Sequence, residues 1–474
     1  MWSCRNAGWR RVLRGPRFGK MTPQQPNHPG ANTMEASLDT DFAAHLDSVR
    51  ARTDAALAAH RYDGIVIFSG RPKDHFLDDH APPYKANPHF LWWAPLLDAP
   101  DCFIRHVPGH RPLLVFHQPA DYWHRPPALP SGDWTRQFDV QVVRQSADAR
   151  ALLGAAGRRL AFVGEWQGEF DAWGFAGANA KPLLDHLHFG RAVKTPYEVQ
   201  CMRRASLLGA RGHVAAEKAW HAGASEFEVH QAYCAATGHR EQELPYGNII
   251  AFGSGAAVLH YQQLQRERDV PRQTFLIDAG AQVRGYASDI TRTYCDGDEQ
   301  FGALVTAMDG AQRQLCAAIR AGTDYREVHL LAHRLIAGVL RDAEVIACNA
   351  ETAVAEGVSS VFFPHGIGHL LGLQVHDVAG FAKDVTGAEI PKPEGHPYLR
   401  LTRTLEPGFV VTVEPGLYFI DLLLDKARAG AAGKHIRWKV VDRLKPFGGI
   451  RIEDDVLCTA GEPENLTRDA FASL

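Results

Sequence analysis

An aspartate closes the apolar run Thr274-Phe-Leu-Ile-Asp278-Ala-Gly280, where an unpaired charge would be too costly to leave buried. Something cationic must face it. After Gly280 and Gly285, which can turn the chain, Tyr286-Ala-Ser-Asp289-Ile-Thr-Arg-Thr-Tyr294 alternates as a second strand. Ten residues lie between Asp278 and Asp289, so a simple hairpin register places them directly opposite on one face, with Cβ atoms about 4.5–5.5 Å apart. Two carboxylates that close repel strongly in a low dielectric. A pair of metal ions roughly 3.5–4 Å apart needs acids placed in this way.

Two more acids share that awkward setting. Glu414 ends Phe409-Val-Val-Thr-Val-Glu414, and Glu453 alternates with isoleucines in Gly449-Ile-Arg-Ile-Glu453. Either one alone would read as half of a salt bridge, Glu453 with Arg451 for example; three such segments together point elsewhere. The chain has 24 histidines, so a lone one means little, but Phe363-Pro-His365-Gly-Ile-Gly-His369-Leu-Leu-Gly-Leu-Gln-Val-His376-Asp377 sets three among glycines that let the backbone approach closely. His369 is the choice for a single nitrogen ligand. Four carboxylates and one neutral imidazole balance two divalent ions, and an oxygen-rich, thiolate-free set suits manganese by hardness, with cobalt or zinc possible.

The elements that would hold these residues fall into two stretches. Glu35 to about Arg61 reads as an amphipathic helix, and Gly64–Gly70, Pro112–Phe116 and Leu160–Gly164 read as buried strands, which makes residues 35–193 an α/β domain. A boundary is expected at Lys194-Thr-Pro196. Beyond it come helices at Tyr197–Ala222 and Glu226–Thr237, strand-like runs between 247 and 295, helices between 301 and 357, and a strand-rich end from Phe409. Without a βαβ rhythm, 194–474 is of α+β class; no internal repeat is legible.

Composition narrows the partners. The 474 residues carry 51 basic and 54 acidic groups, a net charge of -3, so no global field favours nucleic acid or an anionic membrane. No stretch approaches the roughly 18 consecutive apolar residues of a membrane span. Eight scattered cysteines without a C-x-x-C motif suit thiols in a reducing, cytoplasmic compartment. Residues 1–34 carry Arg5, Arg10, Arg11, Arg14, Arg17 and Lys20 and no acid. They read as a disordered extension, with Met21 and Met34 as later starts, rather than as a transit peptide.

Taken together, the acid and histidine segments resemble the metal-dependent peptidases of the pita-bread fold, a group that includes methionine aminopeptidase, aminopeptidase P, prolidase and the metal-free creatinase. The ligand order of that group, Asp, Asp, His, Glu, Glu, falls motif by motif on Asp278, Asp289, His369, Glu414 and Glu453, all intact. The resemblance implies an α+β chain: a pita-bread (creatinase/aminopeptidase) catalytic domain at 194–474 preceded by a smaller creatinase-like α/β domain. Phe76–Phe90 and Leu244–Ile250 look like the bacterial Xaa-Pro dipeptidases (prolidases), including those known as organophosphorus acid anhydrolases.

The same resemblance implies an activity and a role for each site residue. Xaa-Pro dipeptides would be cleaved to release C-terminal proline, a tertiary amide that lacks an N–H, by a hydroxide bridging two metal ions. Glu414 would serve as general base and then acid. His365 would stabilise the oxyanion or orient its neighbours. His260, His376 and Tyr246 would contact substrate, and Arg451 would brace the carboxylates beside the bound dipeptide. Arg400 would bind the proline carboxylate, although as a bare sequence feature it reads as a solvated surface arginine. A homodimer is expected, with Asp78 or Asp79 reaching across its interface. The rivals are aminopeptidase P chemistry on longer peptides, against which Arg400 and the 76–90 segment speak, phosphotriester hydrolysis as a side activity, and a binding module, which intact ligands disfavour.

Overall fold

The first helix, α1 (Pro29–His60), begins six residues before the expected start, with a proline in its first turn, where the missing N–H costs nothing. The computed structural model describes residues 29–474 apart from 155 and 156, with side chains from Leu38 onward. Most of the basic extension therefore lies outside the described residues.

β1 (Gly64–Phe68) follows, then α2 (Pro88–Trp93), β2 (Phe103–His106), β3 (Leu113–His117), β4 (Asp139–Val143), α3 (Ala149–Leu153), β5 (Leu160–Val163), β6 (Gly177–Ala178) and α4 (Lys181–Arg191). The strands form one mixed sheet in the order β4-β3-β2-β1-β5-β6. Three of them were expected. β2, β4 and β6 were not, because they are short or, like the largely exposed β4 at the sheet edge, lack a buried apolar run.

α5 (Pro196–His221) opens with a reciprocal cap. The Thr195 hydroxyl accepts from the Glu198 amide and the Glu198 carboxylate accepts from the Thr195 amide, satisfying two otherwise orphaned donors. Ser225 and Glu228 cap α6 (Glu226–Thr237) in the same way. Phe42, Trp92, Tyr197, Tyr286 and Leu371 share one buried cluster, so the N-terminal sheet layer and the later elements are packed through a common core.

The rest alternates strands and helices: β7 (Ile249–Phe252), β8 (Thr274–Asp278), β9 (Gln282–Val283), β10 (Tyr286–Ala287), β11 (Thr291–Cys295), α7 (Glu299–Ala317), α8 (Tyr325–Asp342), α9 (Ala350–Ala355) and α10 (Val358–Phe362). Then come β12 (Val410–Val413), β13 (Gly416–Tyr418), α11 (Asp421–Ala429), α12 (Trp438–Leu444), β14 (Gly449–Arg451), β15 (Asp454–Leu457), β16 (Glu464–Asn465) and α13 (Leu466–Ala472). The end of the chain is thus not simply strand-rich; α11, α12 and α13 punctuate it. Mixed helices and antiparallel strands bear out the α+β class.

The β8–β11 hairpin corrects one expectation. Arg284 and Gly285 both have positive φ, 54° and 90°, the form of a two-residue turn that matches strand twist. The pairing around it sets Tyr286 opposite Val283 and Thr291 opposite Asp278. Asp289 therefore faces Gly280, not Asp278. The turn sits one residue later than a direct Asp278–Asp289 pairing needs. Register moves by two per such step, so the aspartates stay on one face as diagonal neighbours.

Gly280 is held to that position sterically, since a Cβ there would overlap the Ser288 carbonyl oxygen and come within 2.8 Å of Tyr246 Cε1. Gly280→Ala is expected to cost about 1–3 kcal/mol by overpacking, read as a lower Tm in a thermal melt. An unchanged Tm would show that the hairpin can move aside freely.

Candidate metal centre

Strand register assembles the site in two rows. In the first, Asp278 at the end of β8 faces Thr291 of β11, which bridges to Glu453. Glu453 in turn faces Glu414, because Val413 pairs with Asp454 and Gly416 with Arg451 in one continuous register. The direct opposition expected of the two aspartates thus belongs to the two glutamates. They stand where the chain passes from the β12–β15 pair to the β13–β14 pair.

The second row lies two residues along on the same strands. Asp289 donates its amide to the Asp455 carboxylate at 3.2 Å, Asp455 pairs with Thr412, and the Thr412 amide donates to the His369 carbonyl at 3.0 Å. A spacing of two preserves the face, so the five expected ligands converge. Asp289, His369 and Glu453 bring one ligand atom each to within 4.8 Å of one another. Gly368 has no room for a side chain against the Thr412 carbonyl, which is how the His369 backbone comes so close.

The polar network has too many acceptors. The Tyr246 hydroxyl lies 2.8 Å from Asp278 Oδ1 and 2.5 Å from Asp289 Oδ1, yet it has one proton to give. Arg451 spends its donors on Asp278 Oδ2 (2.7 Å), the Tyr418 hydroxyl (3.0 Å) and the Thr291 hydroxyl (3.3 Å). Thr291 also donates to Glu453 Oε2 at 2.7 Å. Among the described residues Arg451 is the one guanidinium hydrogen-bonded to these four carboxylates, and it bonds Asp278 alone. Burial and the neighbouring Asp278 push Asp289 up to about 8, burial and Asp289 push Glu414 up to about 8, and burial with the same neighbours holds Glu453 well above the usual range.

His369 faces the same acids. Its Nδ1 lies 3.0 Å from the Leu370 carbonyl and must be the protonated nitrogen. Burial, then the nearby His376, holds the ring down at about 3, so it is neutral. Nε2 therefore turns a lone pair toward Asp289 Oδ2 at 3.6 Å and Glu414 Oε1 at 3.8 Å. Once those acids ionise, a lone pair facing two carboxylate oxygens beyond hydrogen-bond reach is repulsive unless a cation lies between them. A backbone carbonyl on the other ring nitrogen is also how ligating histidines are usually fixed. The residues fit divalent metal ions.

His365 is also neutral, held at about 3 by burial and then by Arg451. Nδ1 lies 2.8 Å from the Gly366 carbonyl and Nε2 lies 2.9 Å from the Tyr418 hydroxyl. With both nitrogens engaged, its geometry fits the orienting role better than that of a free oxyanion donor. Arg451, 4% exposed, directs its donors at protein groups, which fits bracing rather than substrate contact.

An open cleft of about 1700 Å³ leads to these acids, and Tyr246, His260, Asp278, Asp289 and His376 line it together with Tyr84, Lys85 and Asn87 of the N-terminal segment. Lys85 donates to the carbonyls of Leu244 and Pro245 (3.3 and 3.2 Å), next to Tyr246. Burial, then Arg400 and His260, lowers His376 to about 4. Arg400 itself is exposed, with no hydrogen-bond partner among the described residues. Behind His376, Asp377 accepts from Arg191 (2.6 Å) and Lys194 (2.9 Å) in a buried trio that ties the end of α4 to the site. Thr291, Tyr418, Asp455 and Asp377 were not singled out from sequence. Thr291 and Asp455 carried a signal, each two residues from an expected ligand on an alternating strand.

Residues 40–189 match the model of the N-terminal domain of Xaa-Pro dipeptidase, and residues 200–460 match that of metallopeptidase family M24. A Xaa-Pro dipeptidase of Stenotrophomonas maltophilia is 51% identical over 433 residues, 91% of this chain and 97% of the relative. One of Xanthomonas campestris pv. campestris is 49% identical over 440 residues, 93% of this chain and 99% of the relative. Among solved structures, zinc-substituted Escherichia coli aminopeptidase P in complex with product superposes with a TM-score of 0.69 at 22% identity, covering 90% of this chain and 95% of that one. The last likeness carries the fold alone.

Without metal, the folded chain keeps protons on Asp289 and Glu414 up to about pH 8, whereas the unfolded chain releases them near pH 4. The folded state binds the extra protons between those limits, so its stability falls as pH rises through them. Chelator-stripped protein should melt at a lower temperature at pH 8.5 than at pH 6. Restoring a divalent metal should raise Tm more at the higher pH; a metal effect equal at both would contradict the carboxylate assignment.

Proposed function

The chain belongs to metallopeptidase family M24, and from that premise we propose that it hydrolyses Xaa-Pro dipeptides, releasing C-terminal proline, as its relatives of about 50% identity are named for doing. Residues 1–34 are an extension, 35–193 the N-terminal domain and 194–474 the pita-bread catalytic domain. Asp278, Asp289, His369, Glu414 and Glu453 hold two divalent ions, manganese by the hardness of an oxygen-rich set. The observation that carries this reading is the His369 lone pair facing two carboxylates.

When bound, the ions supply a water acidic enough to ionise near neutral pH and a Lewis acid for the scissile carbonyl. The chain's residues do the rest. Glu414 is suited to take a proton from the attacking water and return one to the proline nitrogen as the C–N bond breaks. His365 orients Tyr418 through Nε2 at 2.9 Å. Arg451 fixes Asp278 and Tyr418 through its hydrogen bonds. Tyr246, His260 and His376 line the dipeptide's berth, and Arg400 meets the proline carboxylate, for which a guanidinium can donate two parallel hydrogen bonds.

We place the enzyme in the cytoplasm as a homodimer. Among the described residues no helix is long and apolar enough to cross a membrane. Phe76 and Leu77, 92% and 90% exposed, stand beside Asp78 and Asp79 as an apolar tip suited to a second copy's site.

Metal-stripped protein given manganese should release proline from Leu-Pro and leave Gly-Pro-type tripeptides intact. Glu414→Gln should lose about 10²–10⁴-fold in rate, the contribution of a positioned acid–base group. Tripeptide cleavage would move the reading to aminopeptidase P chemistry. Arg400→Ala should raise KM for Leu-Pro and erase the preference for it over its C-terminal amide; a preference that persists would place the carboxylate elsewhere.

A further inference from the structure

Outside the carboxylate centre, three imidazoles converge. His329 and His333 lie four residues apart on α8, so they share one helix face. His396 comes from the turn Pro393-Glu-Gly-His396, closed by the His396 amide on the Pro393 carbonyl at 3.1 Å and bent at Gly395 with φ 80°. His329 Nε2 lies 2.9 Å from His396 Nδ1. The three ring centroids are 4.6–4.8 Å apart, and one ligand atom from each lies within 4.8 Å of the others.

The surroundings suit a cation rather than a plain hydrogen-bonded core. His333 Nδ1 is occupied by the Ser359 hydroxyl at 2.9 Å, which leaves its Nε2 for the cluster. His329 turns Nε2 into the cluster, while its Nδ1 is buried without a hydrogen-bond partner among the described residues. A neutral imidazole offers one ring lone pair, and three such rings meet here. The half-buried His396 leaves one side toward solvent for a fourth ligand.

We propose that His329, His333 and His396 form a second, mononuclear metal site for a zinc-class cation, which staples the 391–403 segment carrying Arg400 to α8. Three neutral imidazoles with an open fourth position are a zinc donor set. No carboxylate belongs to it, so it discriminates against manganese and magnesium, which the oxygen-rich centre accepts. The closest nitrogen pair needs to open by only a few tenths of an ångström to hold zinc at about 2.0–2.1 Å, and a turn can supply that. The site is not isolated from the centre. Phe363 packs on His333 at 4.9 Å and on His365 at 4.8 Å, so a cation here lies one ring behind His365.

The test uses full-length protein, stripped of metal and dialysed against zinc alone, with bound metal counted by elemental analysis. The wild type should take three equivalents and His396→Gln two, with the same Tm before metal is added. Asp289→Asn combined with Glu453→Gln should empty the carboxylate centre yet keep the histidine equivalent, so failure of that centre and failure of this site are distinguishable. Zinc should also slow hydrogen exchange across 391–403 in the wild type and not in His396→Gln. Two equivalents in the wild type, or three in His396→Gln, would overturn the proposal and leave a hydrogen-bonded histidine core.

Discussion

Repulsion among fixed carboxylates is the constraint around which the catalytic half is built. Asp278, Asp289 and Glu453 are all less than a tenth exposed, Glu414 is 19% exposed, and Arg451 pairs with Asp278 alone. Such a cluster would disperse or protonate if its residues were free to move. They are not free, because each sits at a strand end or crossover whose register is held by neighbouring pairs. Backbone hydrogen bonds spread through several strands thus hold the acids together, and either protons or cations must relieve their charge.

Much of the remaining architecture keeps that arrangement rigid and gives it one open side. Arg451, Tyr418 and His365 form a chain of hydrogen bonds behind the acids, and Tyr325 donates to the Thr412 carbonyl at 2.7 Å below them. The Asp377 trio fixes the end of α4 against the segment that carries His369 and His376. Two buried cations share its one carboxylate, so removing Asp377 would strand both. The N-terminal segment around Lys85 closes over the cleft from the other side. A cleft walled by two parts of the chain can limit substrate length in a way that a single sheet face cannot.

The long helices α1, α5, α6, α7 and α8 and the chemistry-bearing segments were legible because their signals are local, whereas α4, α11, α12 and α13 were not anticipated. Thr195 and Ser225, each with a glutamate three residues on, mark helix starts through bonds that close within one turn. Acids inside apolar runs advertise a site because their cost is set by immediate neighbours. Edge strands such as β4, whose side chains are largely exposed, carry no such mark. Arg400 could not be told from any surface arginine by its neighbours in the chain. Its tie to His376 is a matter of space.

Sequence alone determined the inventory of the centre: which acids had to be buried, that an imidazole should join them, and that the aspartates share a face, since a period of two preserves faces under any even shift. Tertiary structure decided who stands opposite whom. The turn at Arg284–Gly285 set Asp289 against Gly280, and the crossover from the β12–β15 pair to the β13–β14 pair set Glu414 against Glu453. A turn can slide by one residue with little change in local propensity, and strands far apart in sequence carry no local record of their partner. Pairing is therefore fixed only when the whole sheet closes and its core is packed.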